Sequence, residues 1–411
     1  MRILVVGLNY APELVGIGPY TAGTVRALIE AGHEIEVIAG KPYYPAWKTD
    51  AAFDGGLYRK SREGGAPVTR CAHYVPARPS GAKRILHHLS FAAAALPQAI
   101  RAARRFRPDL VFTVAPSMIA VPAARIAARI ARAPLWIHVQ DFEVEAAFAT
   151  GLVDGGGMAA KLARRFEAAQ LAAADRVSTI SPQMGSKLRD KGVAEERIVE
   201  FRNWADVDRV RPLESESAYR AEWGVERPHV ALYSGNIANK QGIEIVVEAA
   251  RLLRRRRDLQ FVICGQGPNR ARLAEATAEL DNVMLRDLQP TERLGELLGL
   301  ADVHLLPQIV GAADLVLPSK LTNMLASGRP VVATAAPGTG LADEVEGCGI
   351  VTPPGDARAF AEAIERLIDD PGELARLGRA ARARAEERWS RAGVLGRFTA
   401  DLDRLSGAPT R

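Results

Sequence analysis

The sequence predicts an α/β protein made of two Rossmann-like, doubly wound domains. Short apolar runs of strand length alternate with longer segments of helical periodicity, as expected for parallel βαβ units. This alternation begins at Arg2 and begins again at His229. The segment RNWADVDRVRP, residues 202–212, has the composition of a linker between the two halves. We therefore expect an N-terminal domain over 1–205, a second domain over 206–385 and a C-terminal helical segment over 386–411.

Length and composition restrict the class of protein. A chain of 411 residues can form two or three domains that each bury a core. Cys71, Cys264 and Cys348 are too far apart in sequence to indicate a disulfide framework or a metal site, and they suit a reducing cytosol. No apolar run approaches the roughly 18 residues that span a bilayer, and the first strand begins at Arg2 with no signal peptide before it. We expect a cytoplasmic protein.

The basic residues are unevenly distributed. No acidic residue occurs between Glu63 and Asp109, whereas basic residues are frequent there: Arg70, Arg78, Lys83, Arg84, Arg101, Arg104, Arg105 and Arg107. Within this stretch, the segment 82–105 resembles an interfacial amphipathic helix that combines cations with apolar side chains, namely Ile85, Leu86, Leu89, Phe91 and Leu96. We expect peripheral docking on an anionic membrane surface, to which each cation contributes about 1 kcal/mol. A solvated helix face is the alternative. Nucleic acid is not an expected partner, because aromatic residues are not interleaved with the cations.

Glycines follow the first predicted strand and precede the first predicted helix. Gly16 and Gly18 stand at the helix start, where the lack of a Cβ lets a ligand approach the backbone. A dinucleotide-binding oxidoreductase is the competing interpretation. It requires closely spaced glycines right after the strand and an acidic residue at the end of the second strand. The long gap between Gly7 and Gly18, and the Gly40-Lys41 ending of the second strand, disfavour it.

Two further loops of the N-terminal half carry candidate acceptor contacts. The loop KPYYPAWK presents Tyr43, Tyr44 and Trp47, whose rings can stack on a sugar or lipid acceptor or can cap the core.

A strand over Leu135–Val139 is followed by Gln140, Asp141 and Glu143. Asp141 is the best candidate to hold or deprotonate an acceptor hydroxyl, with Glu143 and His138 in reserve. A purely structural loop is the alternative.

The second half contains candidate phosphate ligands after its strands. Lys240 opens a predicted helix, where a cation and free backbone N–H groups favour a pyrophosphate. A helix predicted over Ser319–Ser327, closed by Gly328, likewise presents Lys320 at its start. Gly265 and Gly267 form a glycine turn after another strand, which alone is a weak signal.

The segment ADLVLPSKLTNMLASGRPVVAT resembles the signature of the retaining nucleotide-sugar glycosyltransferases of family four, and the likeness extends over most of the chain. The ending LASGRPVVAT is kept, whereas the two signature glutamates fall on Leu315 and Asn323. A subgroup active in exopolysaccharide and colanic acid biosynthesis is similar throughout this segment. Two other positions depart from the family: Asn236 stands where an arginine is usual, and Gln140 where a histidine is usual.

The resemblance implies the GT-B architecture, in which two Rossmann-like domains face each other across a cleft. It implies transfer of a sugar from a nucleotide diphosphate donor to a polyprenyl diphosphate-linked saccharide acceptor, with retention and with no cofactor or metal. Lys240, Lys320 and Asp141 are the expected catalytic residues. The expected donor-binding positions are Gly16, Gly18, Asn236, Lys240, Gly265, Gly267, Leu288, Asp314, Ser319, Lys320, Leu321 and Asn323. The expected acceptor-binding positions are Tyr43, Tyr44, Trp47, His138, Gln140 and Glu143.

Three alternatives remain open on the sequence. Asp206 and Asp208 have a DxD spacing that suggests a metal clamp, but they match the family's hinge element. A sugar-nucleotide epimerase or phosphorylase of the same architecture would bind the same nucleotide. A non-catalytic nucleotide-sugar-binding protein is the third, because the altered glutamate, histidine and arginine positions are compatible with lost activity.

Overall fold

The computed structural model describes residues 1–13, 16–78, 80–116, 118–142, 157–237, 241–309 and 319–406. The chain forms two compact units. Unit 1 contains residues 1–202 together with the described residues from 397 onward, and unit 2 contains residues 203–396. Each unit has its own sheet, and each sheet is built almost entirely of parallel strands. The predicted α/β class with two wound sheets is therefore confirmed.

The described strands of unit 1 form an eight-stranded sheet in the order β3-β4-β2-β1-β5-β6-β7-β8. Their bounds are β1 Arg2–Gly7, β2 Glu34–Gly40, β3 Tyr58–Glu63, β4 Ala66–Cys71, β5 Leu110–Ala115, β6 Leu135–Val139, β7 Arg176–Thr179 and β8 Ile198–Glu200. Only the β3–β4 pair is antiparallel among the described pairs. The central strands are buried along nearly their whole length, which explains their continuous apolar runs.

Helices cover the sheet of unit 1, and their bounds are α1 Gly18–Glu30, α2 Gly81–Arg105, α3 Val121–Ala131, α4 Met158–Ala172 and α5 Pro182–Asp190. The second half of the C-terminal helix also packs on this unit. Its Phe398 ring stacks on Phe201 with centroids 4.1 Å apart, and it meets Trp136 at 5.0 Å. Residues distant in sequence thus complete the core of unit 1.

Unit 2 contains a six-stranded sheet in the order β11-β10-β9-β12-β13-β14. The strands are β9 His229–Ser234, β10 Leu259–Cys264, β11 Val283–Arg286, β12 Val303–Leu306, β13 Val331–Thr334 and β14 Gly349–Thr352. The helices are α6 Ala218–Trp223, α7 Glu244–Leu252, α8 Arg270–Thr277, α9 Leu294–Gly299, α10 Ser319–Ala326, α11 Gly340–Val345, α12 Ala357–Asp369 and α13 Pro371–Trp389. The C-terminal helix α14, Arg391–Ser406, begins in unit 2 and belongs to unit 1 from Arg397 onward. All described strand pairs are parallel, so their carboxyl ends meet along one edge.

Local sequence chemistry accounts for several helix ends. Asp356 caps α12 by accepting a hydrogen bond from the Ala359 N–H at 2.9 Å. Gly328 has φ +70° just after α10, as expected for the residue that closes that helix. The expected C-terminal helical segment is not one separate helix, because the extended backbone of Ser390 separates α13 from α14.

The β3–β4 hairpin was not expected from the sequence. Its turn is Gly64-Gly65, and both residues have positive φ, at 57° and 91°. Two adjacent residues in this conformation match the right-handed twist of paired strands, so a Gly-Gly pair between strand-length runs is a hairpin signal. That signal was present in the sequence and was missed.

The basic amphipathic segment is a helix, as expected, but its apolar side chains point in two directions. Ile85, Leu86 and Leu89 are exposed, each retaining about half of its surface at 48%, 52% and 50%. Phe91 is completely buried and belongs to the core, which corrects its assignment to the interfacial face. Among the described residues, none of the helices combines the length and the apolar character needed to cross a bilayer.

Candidate active site

Lys320, one of the predicted phosphate ligands, lies against the loop that follows β9. Its ammonium donates a hydrogen bond to the Tyr233 hydroxyl at 3.1 Å and lies 4.3 Å from the centre of the Tyr233 ring. A Cβ placed on Gly235 would be 3.5 Å from the same nitrogen. The second residue of α10 and the end of β9 therefore meet at the carboxyl edge of the sheet in unit 2.

The glycine turn after β10 packs tightly on the same loop. A Cβ on Gly265 would lie 1.9 Å from the Gly235 carbonyl oxygen, and one on Gly267 would lie 2.3 Å from the Ile237 oxygen. The Ile237 N–H donates to the Gln266 carbonyl at 2.8 Å. Gly265 and Gly267 thus have a structural role that the sequence did not reveal, because they let the two loop backbones approach each other. They also lie beside exposed Asn236, another predicted donor-binding position.

The loop after β11 carries an exposed apolar side chain between anchored neighbours. Leu288 keeps 62% of its surface exposed. Before it, the Asp287 carboxylate accepts hydrogen bonds from Arg270 at 2.6 Å and Gln266 at 2.9 Å. After it, Gln289 accepts one from the Tyr219 hydroxyl at 3.1 Å. These anchors hold the backbone at Leu288, which the resemblance expects to be a donor-binding position.

Helix α10 presents different side chains to the core and to the rim. Leu321 is completely buried in the apolar core of unit 2, so only its backbone is placed to meet a ligand. Asn323 is half-buried and lies one helical turn after Lys320, hence on the same face. Lys320 and Asn323 therefore share one face of α10, and their contact with a donor stays a prediction.

Several predicted site positions lie outside the described residues. They are Lys240, Asp314 and Glu143, together with the Leu315 position of the signature. Helix α10 begins at Ser319, but the side chain of Ser319 is also outside the description.

In unit 1, a buried carboxylate organises the loop between β1 and α1. Glu13 is 6% exposed and accepts hydrogen bonds from the N–H groups of Tyr43 and Tyr44, both at 3.2 Å, and from the Asn9 amide at 3.0 Å. Burial raises the pKa of Glu13, and these hydrogen bonds oppose the rise. A Cβ on Gly18 would lie 2.9 Å from the Glu13 Cβ. Glu13 therefore joins the glycine loop to the aromatic loop.

The three aromatic residues of the KPYYPAWK loop have different roles. Tyr43 is buried at 7% exposure, and its ring lies 4.6 Å from the His87 ring and 5.4 Å from the Trp47 ring. Tyr43 thus caps the core, as the alternative interpretation of this loop expected, and its contact with the acceptor stays a prediction. Tyr44 is exposed at 39% and lies close to Gly16, where an added Cβ would be 3.2 Å from the Tyr44 ring. Trp47 is half-buried.

The end of β6 carries a hydrogen-bonded interior cluster. His138 is 3% exposed, and its ring lies 2.9 Å from both the Ser178 hydroxyl and the Gln140 amide. Burial lowers the pKa of His138 to about 3, so the ring is neutral. Gln140 is 6% exposed, so both side chains lie mostly in the interior of unit 1, and their assignment to the acceptor stays a prediction. Asp141, half-buried, is the next residue along the chain.

Asp206 and Asp208, the DxD pair, have the environment of a surface turn. Both carboxylates are exposed, and Asp206 accepts a hydrogen bond from the Arg209 N–H at 3.1 Å, as in a local turn. Within the described ranges, no cluster of three or more His, Cys, Asp or Glu side chains is arranged to hold a metal ion.

Two residues of these rims were missed by sequence reasoning. Tyr233 is the penultimate residue of an apolar strand and gave no sequence signal beyond its hydroxyl. Glu13 is an acidic residue within an apolar loop, a pattern that signals a partnered buried carboxylate.

Comparison with known proteins identifies the family. A model described as glycosyl transferase 4-like domain matches residues 15–204, and one described as glycosyl transferases group 1 matches residues 228–370. The WcaI glycosyl transferase of Escherichia coli (strain K12), assigned to colanic acid biosynthesis, is 39% identical over 98% of this chain and 100% of WcaI. The 2-deoxystreptamine glucosyltransferase of Streptomyces kanamyceticus is 25% identical over 93% of this chain and 97% of that protein.

Solved structures share the fold at low identity. Sucrose-phosphate synthase (tll1590) from Thermosynechococcus elongatus superposes with a TM-score of 0.73 at 18% identity, over 98% of both chains. Anabaena Alr3699/HepE, solved in complex with UDP, gives 0.70 at 19% identity over 98% of this chain and 100% of that chain. Together with the matched models and the WcaI relative, they show that this chain belongs to a family of GT-B glycosyltransferases that includes WcaI.

Proposed function

We propose that this glycosyltransferase moves a sugar from a nucleoside diphosphate donor to a hydroxyl of a polyprenyl diphosphate-linked saccharide during bacterial exopolysaccharide assembly. The relative WcaI is assigned to colanic acid biosynthesis, and the Alr3699/HepE neighbour was solved with UDP. The observation that carries the proposal is the position of Lys320. It joins the start of α10 to the loop after β9, at the edge where wound sheets bind ligands.

Negative charge develops on the diphosphate as the sugar departs. A fixed ammonium and the N-terminus of α10 stabilise that charge without help from a metal ion. Lys240, outside the described residues, is proposed as a second cation at the same diphosphate. Asp314, also outside them, and Asn323 are proposed to replace the two signature glutamates, with Asn323 hydrogen-bonding the ribose. Retention of configuration follows the family resemblance.

Unit 1 is proposed to bind the acceptor. Tyr44 is exposed beside the Gly16 loop, and Asp141 follows the interior cluster at the end of β6. Asp141 is proposed to hold or deprotonate the acceptor hydroxyl, with Glu143 in reserve.

A screen of UDP-, GDP- and ADP-sugars by thermal shift tests donor binding. The stabilising donor is then supplied with a polyprenyl diphosphate-linked saccharide, and the product anomer is determined by NMR. We expect one nucleotide class to raise Tm and to support transfer with retention. A donor that raises Tm but is neither transferred nor slowly hydrolysed would indicate a binding protein. An inverted product would contradict the retaining mechanism.

We also propose that the start of α2 docks the protein on the inner face of the cytoplasmic membrane. Ile85, Leu86 and Leu89 are exposed beside the exposed cations Lys83 and Arg84. Such a surface suits the boundary between acyl chains and anionic headgroups.

Replacing the three apolar residues of this α2 surface by Gln should abolish sedimentation with phosphatidylglycerol vesicles. The control Leu252→Gln, at an equally exposed position of unit 2, should leave it unchanged. Binding that survives the triple substitution would refute this surface.

A further inference from the structure

The Tyr233 hydroxyl lies at the point where two candidate phosphate-binding elements of unit 2 meet. The residue is completely buried near the end of β9. Its hydroxyl donates a hydrogen bond to the Asn236 carbonyl at 2.6 Å. It also accepts one from the Lys320 ammonium at 3.1 Å. One oxygen therefore ties the loop after β9 to the start of α10.

The direction of both hydrogen bonds is unambiguous. A carbonyl only accepts and an ammonium only donates, so the single hydroxyl hydrogen points to Asn236 and a lone pair receives Lys320. Burial raises the pKa of Tyr233, which keeps the hydroxyl protonated. The arrangement requires that proton, because a phenolate could not donate to the carbonyl.

The Tyr233 ring adds a second restraint on the same cation. Lys320 Nζ lies 4.3 Å from the ring centre, within the range of a cation–π interaction. A lysine side chain has a flexible four-carbon stem and loses much conformational freedom when it is fixed. The ring and hydroxyl together hold the ammonium beside Gly235, whose added Cβ would be 3.5 Å away.

We propose that Tyr233 is a positioning residue for the donor diphosphate: its hydroxyl fixes the Lys320 ammonium and the Asn236 carbonyl in one geometry. This inference rests on the proposed donor site in unit 2. A preorganised cation stabilises phosphate charge without reorganising during the reaction, which is the main source of electrostatic catalysis. The restraint acts on the diphosphate and leaves the nucleoside contacts untouched.

The test compares nucleotides that differ by one phosphate. Dissociation constants of UDP and GDP, and of UMP and GMP, are measured by calorimetry for the wild type, Tyr233→Phe and Lys320→Ala. Tyr58→Phe is the matched control, because it removes a tyrosine hydrogen bond to a backbone carbonyl, that of Ala94 at 3.1 Å, in unit 1. The double variant Tyr233→Phe/Lys320→Ala completes a cycle.

We expect Tyr233→Phe to reduce the diphosphate-over-monophosphate preference about 5- to 10-fold, on the scale of one hydrogen bond. The monophosphate affinities and the Tyr58→Phe preference should stay within about twofold of wild type. On the Lys320→Ala background the Phe substitution should have no further effect. The apparent kcat for transfer should fall together with the preference.

Two results would overturn the inference. One is an unchanged preference in Tyr233→Phe, and the other is an additive loss in the double variant. If Tyr233→Phe fails to fold, Lys320→Arg tests the same point with Tyr233 intact. Lys320→Arg keeps the positive charge but changes its position. An unchanged diphosphate-over-monophosphate preference in this variant would show that the position of the cation is unimportant. A wild type that never prefers a diphosphate would refute the proposed donor site itself, and the inference with it.

Discussion

Both sheets bring the carboxyl ends of parallel strands to one edge, but the two edges carry opposite chemistry. In unit 2 the edge contains the Lys320 cation, the start of α10 and glycines that let loops touch. In unit 1 it contains the buried Glu13 carboxylate, which receives backbone N–H groups from the aromatic loop. The edge of unit 2 presents a fixed positive charge, whereas the carboxylate at the edge of unit 1 is buried and hydrogen-bonded to neighbouring loops.

Under the proposed function, this difference corresponds to two different substrates. The proposed donor diphosphate requires positive charge and close backbone approach, and the edge of unit 2 has both features. An acceptor hydroxyl is neutral, so an edge shaped by aromatic and hydrogen-bonded groups suits it better. The wound sheet supplies only the location of each site, and the loop side chains decide its chemistry.

Removing the cation from the edge of unit 2 should have the largest effect. We expect Lys320→Ala to lower kcat/KM for donor turnover about 100- to 1,000-fold, as for one lost charge-stabilising donor. Steady-state assays with the best donor measure this loss. Lys161→Ala, at an exposed lysine of unit 1, is the control and should retain wild-type turnover. Activity within about threefold of wild type would mean that the two edges are not specialised as described.

Forcing apart the loops after β9 and β10, at the same edge of unit 2, should have the next largest effect. Gly265→Ala introduces a Cβ 1.9 Å from the Gly235 carbonyl oxygen, so both backbones must move. We expect a loss of about 3 kcal/mol in the free energy of unfolding, at the upper end for overpacking, and weaker nucleotide binding. Denaturant unfolding and calorimetry measure the two quantities.

The control for this substitution is Gly185→Ala in helix α5. Its added Cβ would be 3.8 Å from Ile198, an ordinary contact. Alanine should therefore stabilise the helix by about 0.5–1 kcal/mol. Equal effects of the two substitutions would contradict the close approach of the loops.

The smallest expected effect concerns the carboxylate of unit 1. Glu13→Ala leaves the Tyr43 and Tyr44 N–H groups without their acceptor and should cost about 1–2 kcal/mol of stability. Glu13→Gln keeps an acceptor oxygen and removes the titrating group. Because burial raises the folded pKa above its unfolded value, the wild type loses stability as pH rises between those two values.

Glu13→Gln should consequently gain in Tm relative to wild type as pH rises from the unfolded pKa of Glu13 through its raised folded pKa, because glutamine does not titrate. Thermal unfolding at several pH values measures the difference. A constant Tm difference across that range would show that Glu13 has an ordinary pKa. The hydrogen bonds from Asn9, Tyr43 and Tyr44 would then fully offset the desolvation of the Glu13 carboxylate.

Sequence reasoning located strands and helices well where the periodic signal was strong. The strand predicted over Leu135–Val139 has those bounds, and α10 begins at the predicted Ser319. Reasoning failed where the signal was a turn type, as with Gly64-Gly65 in the missed hairpin. It also could not assign side-chain direction, so buried Phe91 was grouped with exposed Leu86 and Leu89.

The sequence by itself determined the α/β class, the two wound halves and the presence of Lys320 at a helix start. These features depend on periodicity and on local chemistry within a few residues, which the linear order contains. Only the tertiary structure decided that Tyr233 holds Lys320, that Glu13 joins two loops and that Tyr43 and His138 are interior. Those outcomes depend on contacts between residues far apart in the chain, and such contacts exist only after the strands have paired and the helices have packed.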